Sequence, residues 1–200
     1  MKRIVAFTGA GVSKASGIPT FNEMGELRNL LTRDYFNENP NHFYKILKEL
    51  HSTIKGAKPN GAHLALAKHN IPIVTMNIDS LHEKAGSKRV IEIHGNLNSI
   101  FCPKCLRSYD LEGVNEKIYC THCDTLLQPK VVLYGDEIPL YFEAISMVSE
   151  ADVLLVVGTS FYTSTAHDLV YRAERMGIEV KLINRDAEVE VPQYLAKILG

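Results

Sequence analysis

Four cysteines in two Cys-x-x-Cys pairs constrain this 200-residue chain more than any other feature. Cys102-Pro-Lys-Cys105 and Cys120-Thr-His-Cys123 are the only cysteines present. Two knuckles separated by a short spacer match a zinc ribbon, in which each knuckle gives two thiolates to one tetrahedral ion. With sulfur in all four positions no place stays open for water, so the expected zinc is structural. The residues alone leave two disulfides, or four unrelated buried thiols, as alternatives. Only four apolar residues, Ile4 to Phe7, follow the basic start, against the ~7–15 of a secretory signal. A reducing, cytoplasmic setting is therefore expected, which disfavours disulfides.

Short β-branched runs recur outside the cysteine region: Ile4–Phe7, Ile73–Met76, Val90–Ile93, Val131–Tyr134, Val153–Val157 and Val180–Ile183. Several are apolar throughout rather than alternating, as central strands covered on both faces are. Helical patterns lie between many of them, at Ala62–His69, Leu140–Val148 and Ala166–Met176. Strands alternating with helices predict an α/β fold with a mostly parallel, Rossmann-like sheet; an α+β mixture is the alternative. Residues 22–60, helix-like and polar, and residues 96–128, the cysteine module, interrupt the alternation. The expected organisation is one lobe from residues 1–21, 61–95 and 129–200, and a small lobe from 22–60 and 96–128. The longest aliphatic run, Val153 to Val157, is far below the ~20 residues of a membrane span. A net charge of −1 supplies no basic field for direct nucleic-acid binding.

Polar residues and glycines cluster where the runs end. The first run leads into Gly9-Ala-Gly11-Val-Ser13, and glycines after a strand let backbone approach a pyrophosphate. The spacing to Gly17 is not that of the standard dinucleotide fingerprint, and an ordinary glycine turn remains an alternative. Asn77-Ile-Asp79 follows the second run and His94-Gly95 the third, where a histidine can act as a general base near neutral pH. Gly158-Thr-Ser160 and Asn184 follow two later runs.

In this order the segments resemble the sirtuin family. The resemblance rests on Gly9-Ala-Gly11-x-Ser13-x-x-Ser16-Gly17-Ile-Pro19-x-Phe21, Lys58-Pro-Asn60-x-x-His63, Asn77-Ile-Asp79-x-Leu-His82-x-x-Ala-Gly86 and Glu92-Ile-His94-Gly95. It continues through both cysteine knuckles, Pro129-x-Val131-Val132-x-Tyr134-Gly135, Gly158-Thr-Ser160 and Ile183-Asn184. It implies an NAD-dependent protein lysine deacylase, a transferase that passes the acyl group to ADP-ribose and releases nicotinamide. NAD is the implied co-substrate, and an acyl-lysine protein or peptide the implied partner. The implied NAD set is Gly9, Ala10, Gly11, Ser13, Ile18, Pro19, Phe21, Asn77, Ile78, Asp79, Gly158, Thr159, Ser160 and Asn184. Among these, Gly9 to Ser13 face the pyrophosphate, and Ile18, Phe21, Asn77 and Asp79 form the nicotinamide pocket. Thr159 and Ser160 hold phosphate or ribose, and Asn184 the adenosine ribose. Val132, Leu133, Tyr134 and Gly135 resemble the segment that pairs with substrate backbone. The implied catalytic residues are His94, Asn77 and Asp79, with His94 taking a proton from a ribose hydroxyl; His82 looks structural.

Three departures stand out. Asn22 replaces the family's usual arginine, Met76 its usual glutamine, and Thr165 a frequent proline. The first two lie beside the NAD ribose and nicotinamide ends in the family. They keep ADP-ribosyl transfer, NAD hydrolysis or a non-catalytic NAD or ADP-ribose sensor open as alternatives. No Tyr-x-x-Arg pair, the family's device for acidic acyl groups, occurs in the chain. A neutral acyl-lysine is therefore expected over succinyl-lysine, with Arg28 and Arg33 as the cations placed to challenge that expectation.

Overall fold

A computed structural model describes residues 2–20, 23–113, 118–160 and 164–200. In chain order these form β1 (Ile4–Thr8), α1 (Arg33–Glu38), α2 (Pro40–Lys55), α3 (Gly61–Lys68), β2 (Ile73–Thr75), α4 (Leu81–Lys84) and β3 (Val90–Glu92). The cysteine region follows with β4 (Ser99–Phe101), β5 (Ser108–Asp110) and β6 (Gln128–Pro129). The chain ends with α5 (Tyr141–Ser149), β7 (Val153–Val157), α6 (Ser164–Arg175), β8 (Glu179–Ile183) and α7 (Ala187–Leu199). Two 3-10 turns, Ala10–Ser16 and Gly25–Leu30, fall between β1 and α1.

Five strands make one parallel sheet in the order β3-β2-β1-β7-β8. Period-two geometry sends successive side chains to opposite faces, and both faces here are covered. Ile4 and Ala6 of β1 join Val153, Leu155 and Val157 of β7 in a core beneath α3 and α7. Val5 and Phe7 join Leu154 and Val156 in a second core with α5 and α6. Uninterrupted apolar runs are the consequence, because neither side of these strands meets water. The expected α/β, Rossmann-like sheet is the one found.

The register brings all five carboxyl ends to one edge. Thr8 stands opposite both Thr75 and Val157, Thr75 opposite Glu92, and Val157 opposite Ile183. Strand order reverses between β1 and β7, the switch point where open α/β sheets leave a crevice for ligands.

The cysteine region forms a separate three-stranded antiparallel sheet, β5-β4-β6. Helices α1 and α2 pack on it. Phe36, Phe43 and Leu47 share one apolar cluster with Ile100, Leu111 and Leu127. Phe36 and Phe43 meet edge to face at 5.2 Å, and the Tyr44 hydroxyl donates to the Leu127 carbonyl at 2.8 Å.

Two elements differ from the sequence expectation. Val131–Tyr134 is not a strand; only Tyr134 makes a bridge, to Thr32. Its backbone N–H groups go to three unrelated acceptors: Val132 to the His94 carbonyl, Leu133 to the Asp136 carboxylate and Tyr134 to the Leu31 carbonyl. No ladder can form from such scattered partners. Conversely, α7 is hidden in sequence by Pro192, six residues into the helix. Pro192 has no N–H for the carbonyl of Glu188 four residues earlier. That carbonyl instead lies against α3, where a Cβ on Gly61 would sit only 2.2 Å from it. Gly61 thus lets the two helices meet at the point where the ladder is broken.

Candidate active site

At the switch point the loops after β1 and β7 cross backbone to backbone. Gly11 N–H donates to the Gly158 carbonyl at 2.8 Å, and Gly9 N–H to Val157 at 2.9 Å. A Cβ on Gly158 would lie 2.2 Å from the Val12 nitrogen, and one on Gly11 2.7 Å from Gly158 Cα. These glycines are therefore required by the crossing itself. The result is a bare backbone surface at the opening of the 3-10 turn Ala10–Ser16, whose first turn carries no acidic residue, as an anion site demands. Thr159 is buried and Ser160 exposed at the same edge. The Asn184 amide is fully engaged with Thr159, accepting from its N–H at 3.1 Å and donating to its carbonyl at 2.8 Å. Asn184 thereby fixes the loop after β7.

Beside the crossing lies a buried polar group. Ser13 donates to Asp79 Oδ2 at 2.7 Å, and the Asn77 side-chain amide donates to Ser13 Oγ at 3.0 Å and to Asp79 Oδ2 at 3.2 Å. Asp79 Oδ1 receives the Leu81 N–H at 2.9 Å. The turn containing Asp79 is a left-handed one, with Ser80 at φ 54°. Ser80 is tied down by its hydroxyl, which donates to Glu92 and accepts from Asn98, each at 3.0 Å. Four buried or half-buried polar side chains satisfied in this way make a rigid network rather than a penalty.

Two histidines close the network from behind. His63 accepts the Asn60 N–H at Nδ1, so its Nε2–H faces Ser13 Oγ at 3.4 Å. His82 Nε2 meets the Thr8 hydroxyl at 2.9 Å, and its ring lies 4.7 Å from that of His63. Burial pushes the His63 pKa down to about 4, against the pull of Asp79. Burial and the neighbouring His63 take His82 down to about 3. Both rings are neutral at pH 7. Of these supporting groups, the Thr8–Thr75 pair was not visible in the sequence, since a threonine in an apolar run looks like any β-branched residue.

His94 differs from the other two. Its Nδ1 lies 3.2 Å from the Met76 carbonyl, which fixes the proton on that nitrogen. Nε2 has no hydrogen-bond partner among the described residues. Burial lowers the His94 pKa, partly offset by the Met76 carbonyl, so the ring is neutral near pH 7. A held tautomer with a basic, uncommitted Nε2 is what a general base needs. Gly95 at φ 69° makes the turn, and a Cβ there would fall 1.8 Å from the Lys130 carbonyl.

The structure places the remaining predicted residues as follows. Ile18 is buried and Pro19 exposed beyond the 3-10 turn, and Ile78 is half-buried between Asn77 and Asp79. Phe21 and Asn22 lie outside the described residues. Met76 Cε would lie 3.1 Å from a Cβ on Gly9, so its methyl rests on the glycine crossing. Val132 to Gly135 run past His94, with half-exposed Tyr134 among them. Unforeseen in sequence is the partner of Arg33, whose guanidinium forks onto Asp136 at 2.7 and 2.8 Å.

The four cysteine Sγ atoms lie within 4.8 Å of one another. The separations Cys102–Cys123, 3.3 Å, and Cys105–Cys120, 3.6 Å, are too long for disulfides and near the ~3.8 Å edge of a tetrahedron with ~2.3 Å zinc–sulfur bonds. The two knuckles share one backbone turn. Leu106 N–H returns to Cys102 O and Asp124 N–H to Cys120 O, both at 2.9 Å, with Leu106 and Asp124 both left-handed. Tyr109 adds a hydroxyl contact to Cys120 Sγ at 3.0 Å. The donor set fits a structural zinc ion.

A model of the Sir2 family matches residues 9–165. The chain is 40% identical over 201 residues to an NAD-dependent protein deacetylase of Bacillus anthracis, covering 92% of this chain and 83% of that one. It is 39% identical to an NAD-dependent protein deacylase of Thermococcus sibiricus, covering 90% and 80%. Among solved structures it resembles a Sir2 protein bound to a p53 peptide and NAD+, with a TM-score of 0.87 and 32% identity over 97% of this chain and 92% of that one.

Proposed function

We propose, for a chain that belongs to the Sir2 family, that it is an NAD-dependent protein lysine deacetylase. The observation that carries this reading is His94, held through Nδ1 with Nε2 uncommitted, at the same sheet edge as the Ser13–Asn77–Asp79 network. The named activities of its relatives and the complexes of its structural neighbours with NAD+ and acetylated or propionylated peptides support it.

NAD fits the edge: Gly11 and Gly158 offer backbone without side chains, and the site beside them is lined by hydrogen-bonding groups. When bound, NAD supplies an ADP-ribose that accepts the acyl group and a nicotinamide that leaves. Gly9, Ala10, Gly11 and Ser13 would hold its pyrophosphate end, with Thr159 and Ser160. Asn77, positioned by Ser13 and Asp79, would offer its Oδ1 to the nicotinamide amide, with Ile18, Pro19 and Ile78 around it. Asn184 acts through Thr159. His94 Nε2 accepts the proton of the hydroxyl that takes the acyl group. Val132 to Gly135 present backbone to the peptide. The sheet and its helices, residues 1–21, 61–95 and 129–200, make the NAD-binding lobe, and 22–60 with 96–128 the small lobe. A reducing cytoplasm is the compartment we assign, since zinc-binding thiols must stay reduced.

Met76, whose methyl rests on the glycine crossing and cannot hydrogen-bond as the family's usual glutamine would, keeps a second reading open, ADP-ribosyl transfer or NAD hydrolysis. Mass spectrometry of an acetyl-lysine peptide incubated with NAD separates the two. Acetyl-ADP-ribose in step with free lysine is the expected product; ADP-ribose alone, with the peptide still acetylated, would refute deacetylation.

A further inference from the structure

The segment that the proposed reading assigns to peptide pairing is not held by any sheet. Residues 131–136 leave β6 with a single bridge, Tyr134 to Thr32, and no strand beside Val132 or Leu133. Tyr134 N–H donates to Leu31 at 3.0 Å and its carbonyl accepts the Arg33 N–H at 2.9 Å. Thr32, extended, also caps α1 through the Tyr35 N–H. Arg33, the first residue of α1, therefore starts within two residues of the bridge.

The Arg33 side chain then joins three separate elements. Nε and Nη2 fork onto the two Asp136 oxygens at 2.7 and 2.8 Å, and Nη1 donates to Gln128 Oε1 of β6 at 2.8 Å. The guanidinium lies 5.0 Å from the Phe36 ring centre. Asp136 Oδ2 in turn accepts the Leu133 N–H at 3.0 Å, closing a turn around Gly135. Burial raises the Asp136 carboxyl, but Arg33 and the Leu133 N–H outweigh it and hold it below its ordinary range. A planar, bidentate fork fixes orientation as well as distance, which a lysine ammonium cannot do.

Resting on the proposed reading of residues 132–135, we infer that the Arg33–Asp136–Gln128 clamp sets the position of this segment and with it the affinity for peptide substrate. Arg33 and Asp136 are positioning residues: their side chains bond to each other, to Gln128 and to the Leu133 N–H, and not to His94 or the Ser13–Asn77–Asp79 network. An edge held in place ahead of binding spares the peptide the cost of ordering it. Loosening the clamp therefore weakens the contact with substrate backbone, and leaves intact the His94 tautomer, which is fixed by Met76.

The test compares Arg33→Lys, Arg33→Ala, Asp136→Asn and the double variant Arg33→Ala/Asp136→Ala with the unaltered full-length protein. Two substrates are used: an acetyl-lysine peptide, and N-acetyl-lysine amide without flanking residues. The expected result is a rise in peptide KM of about tenfold, with kcat and the KM for NAD within about twofold. Turnover of the minimal substrate and zinc content stay unchanged, and the double variant is no worse than Arg33→Ala alone, as for residues acting as one unit. An unchanged peptide KM, an equal loss on the minimal substrate, or loss of zinc would overturn the clamp. If the unaltered protein turns over neither substrate, the deacetylase reading fails. Fluorescence anisotropy with the labelled peptide then decides the clamp alone: binding about tenfold weaker in Arg33→Lys supports it, and equal or absent binding in both proteins overturns it.

Discussion

Strand β1 of the parallel sheet buries all five of its residues between two helical layers, whereas β5 of the cysteine sheet has three residues and leaves Ser108 and Asp110 exposed. Burial alone accounts for the first: at about 25 cal/mol per Å2 of apolar surface, strands covered on both faces stabilise themselves. The second sheet has short strands and one apolar side, toward Phe36, Phe43 and Leu47. What fixes its outer half is the cysteine cluster, with two knuckles closed by the same backbone turn. The lesson is a division of labour. A sheet buried on both faces carries the Ser13–Asn77–Asp79 network and His94 at one edge, and the module with the cysteine cluster leads into residues 131–136, which run past His94.

Removing the metal should break this comparison most sharply. Structural zinc contributes ~10 kcal/mol or more in small modules. Chelation, or Cys120→Ser, should therefore strip hydrogen-exchange protection from β4, β5 and β6 while β1 and β7 stay protected. Retained protection in the cysteine sheet would mean that the cluster around Phe43 holds it unaided.

The next test concerns the cations of the small region. Arg33 is spent on Asp136, and Arg28 lies on an exposed turn. Burying a succinyl carboxylate without a partner costs several kcal/mol, so kcat/KM for succinyl-lysine peptide should fall ~100-fold or more below that for acetyl-lysine. Faster succinyl removal would show that another cation reaches the acyl group.

Acid should act on the parallel sheet's edge through His63 and His82. Both are held neutral, with pKa values near 4 and 3 against 6.5 when unfolded. Between pH 6.5 and about 4 the unfolded chain binds protons that the folded chain refuses, so stability declines as pH falls. Each histidine contributes about 1.4 kcal/mol per pH unit in that window. Denaturant titrations at pH 7 and pH 5 should show His82→Gln less acid-sensitive than the unaltered protein; an equal slope would mean that the ring is solvated.

How much of this was legible follows from the same contrast. Cysteine spacing gave the zinc ligands directly, because a metal demands fixed residue types at fixed intervals. The central strands were visible as apolar runs, since two-sided burial leaves no polar position. Strands β4 to β6 were not, being two or three residues long with mixed exposure. Val131–Tyr134 had strand composition but found no neighbouring strand. The Ser13–Asn77–Asp79 and His94 positions were readable as polar residues at strand ends. The Arg33–Asp136 fork was not, because it joins residues 103 apart in sequence, and no local pattern marks such a pair.

The central claim is that His94 is the base of the site and not a supporting histidine like His63 or His82. Measuring kcat and NAD affinity side by side in His94→Ala tests it most directly. The account predicts a loss of ~100-fold or more in deacetylation with NAD binding nearly unchanged, because a base acts on the reacting proton and not on ground-state binding. Near-normal turnover, or a loss that tracks weakened NAD binding, would contradict it.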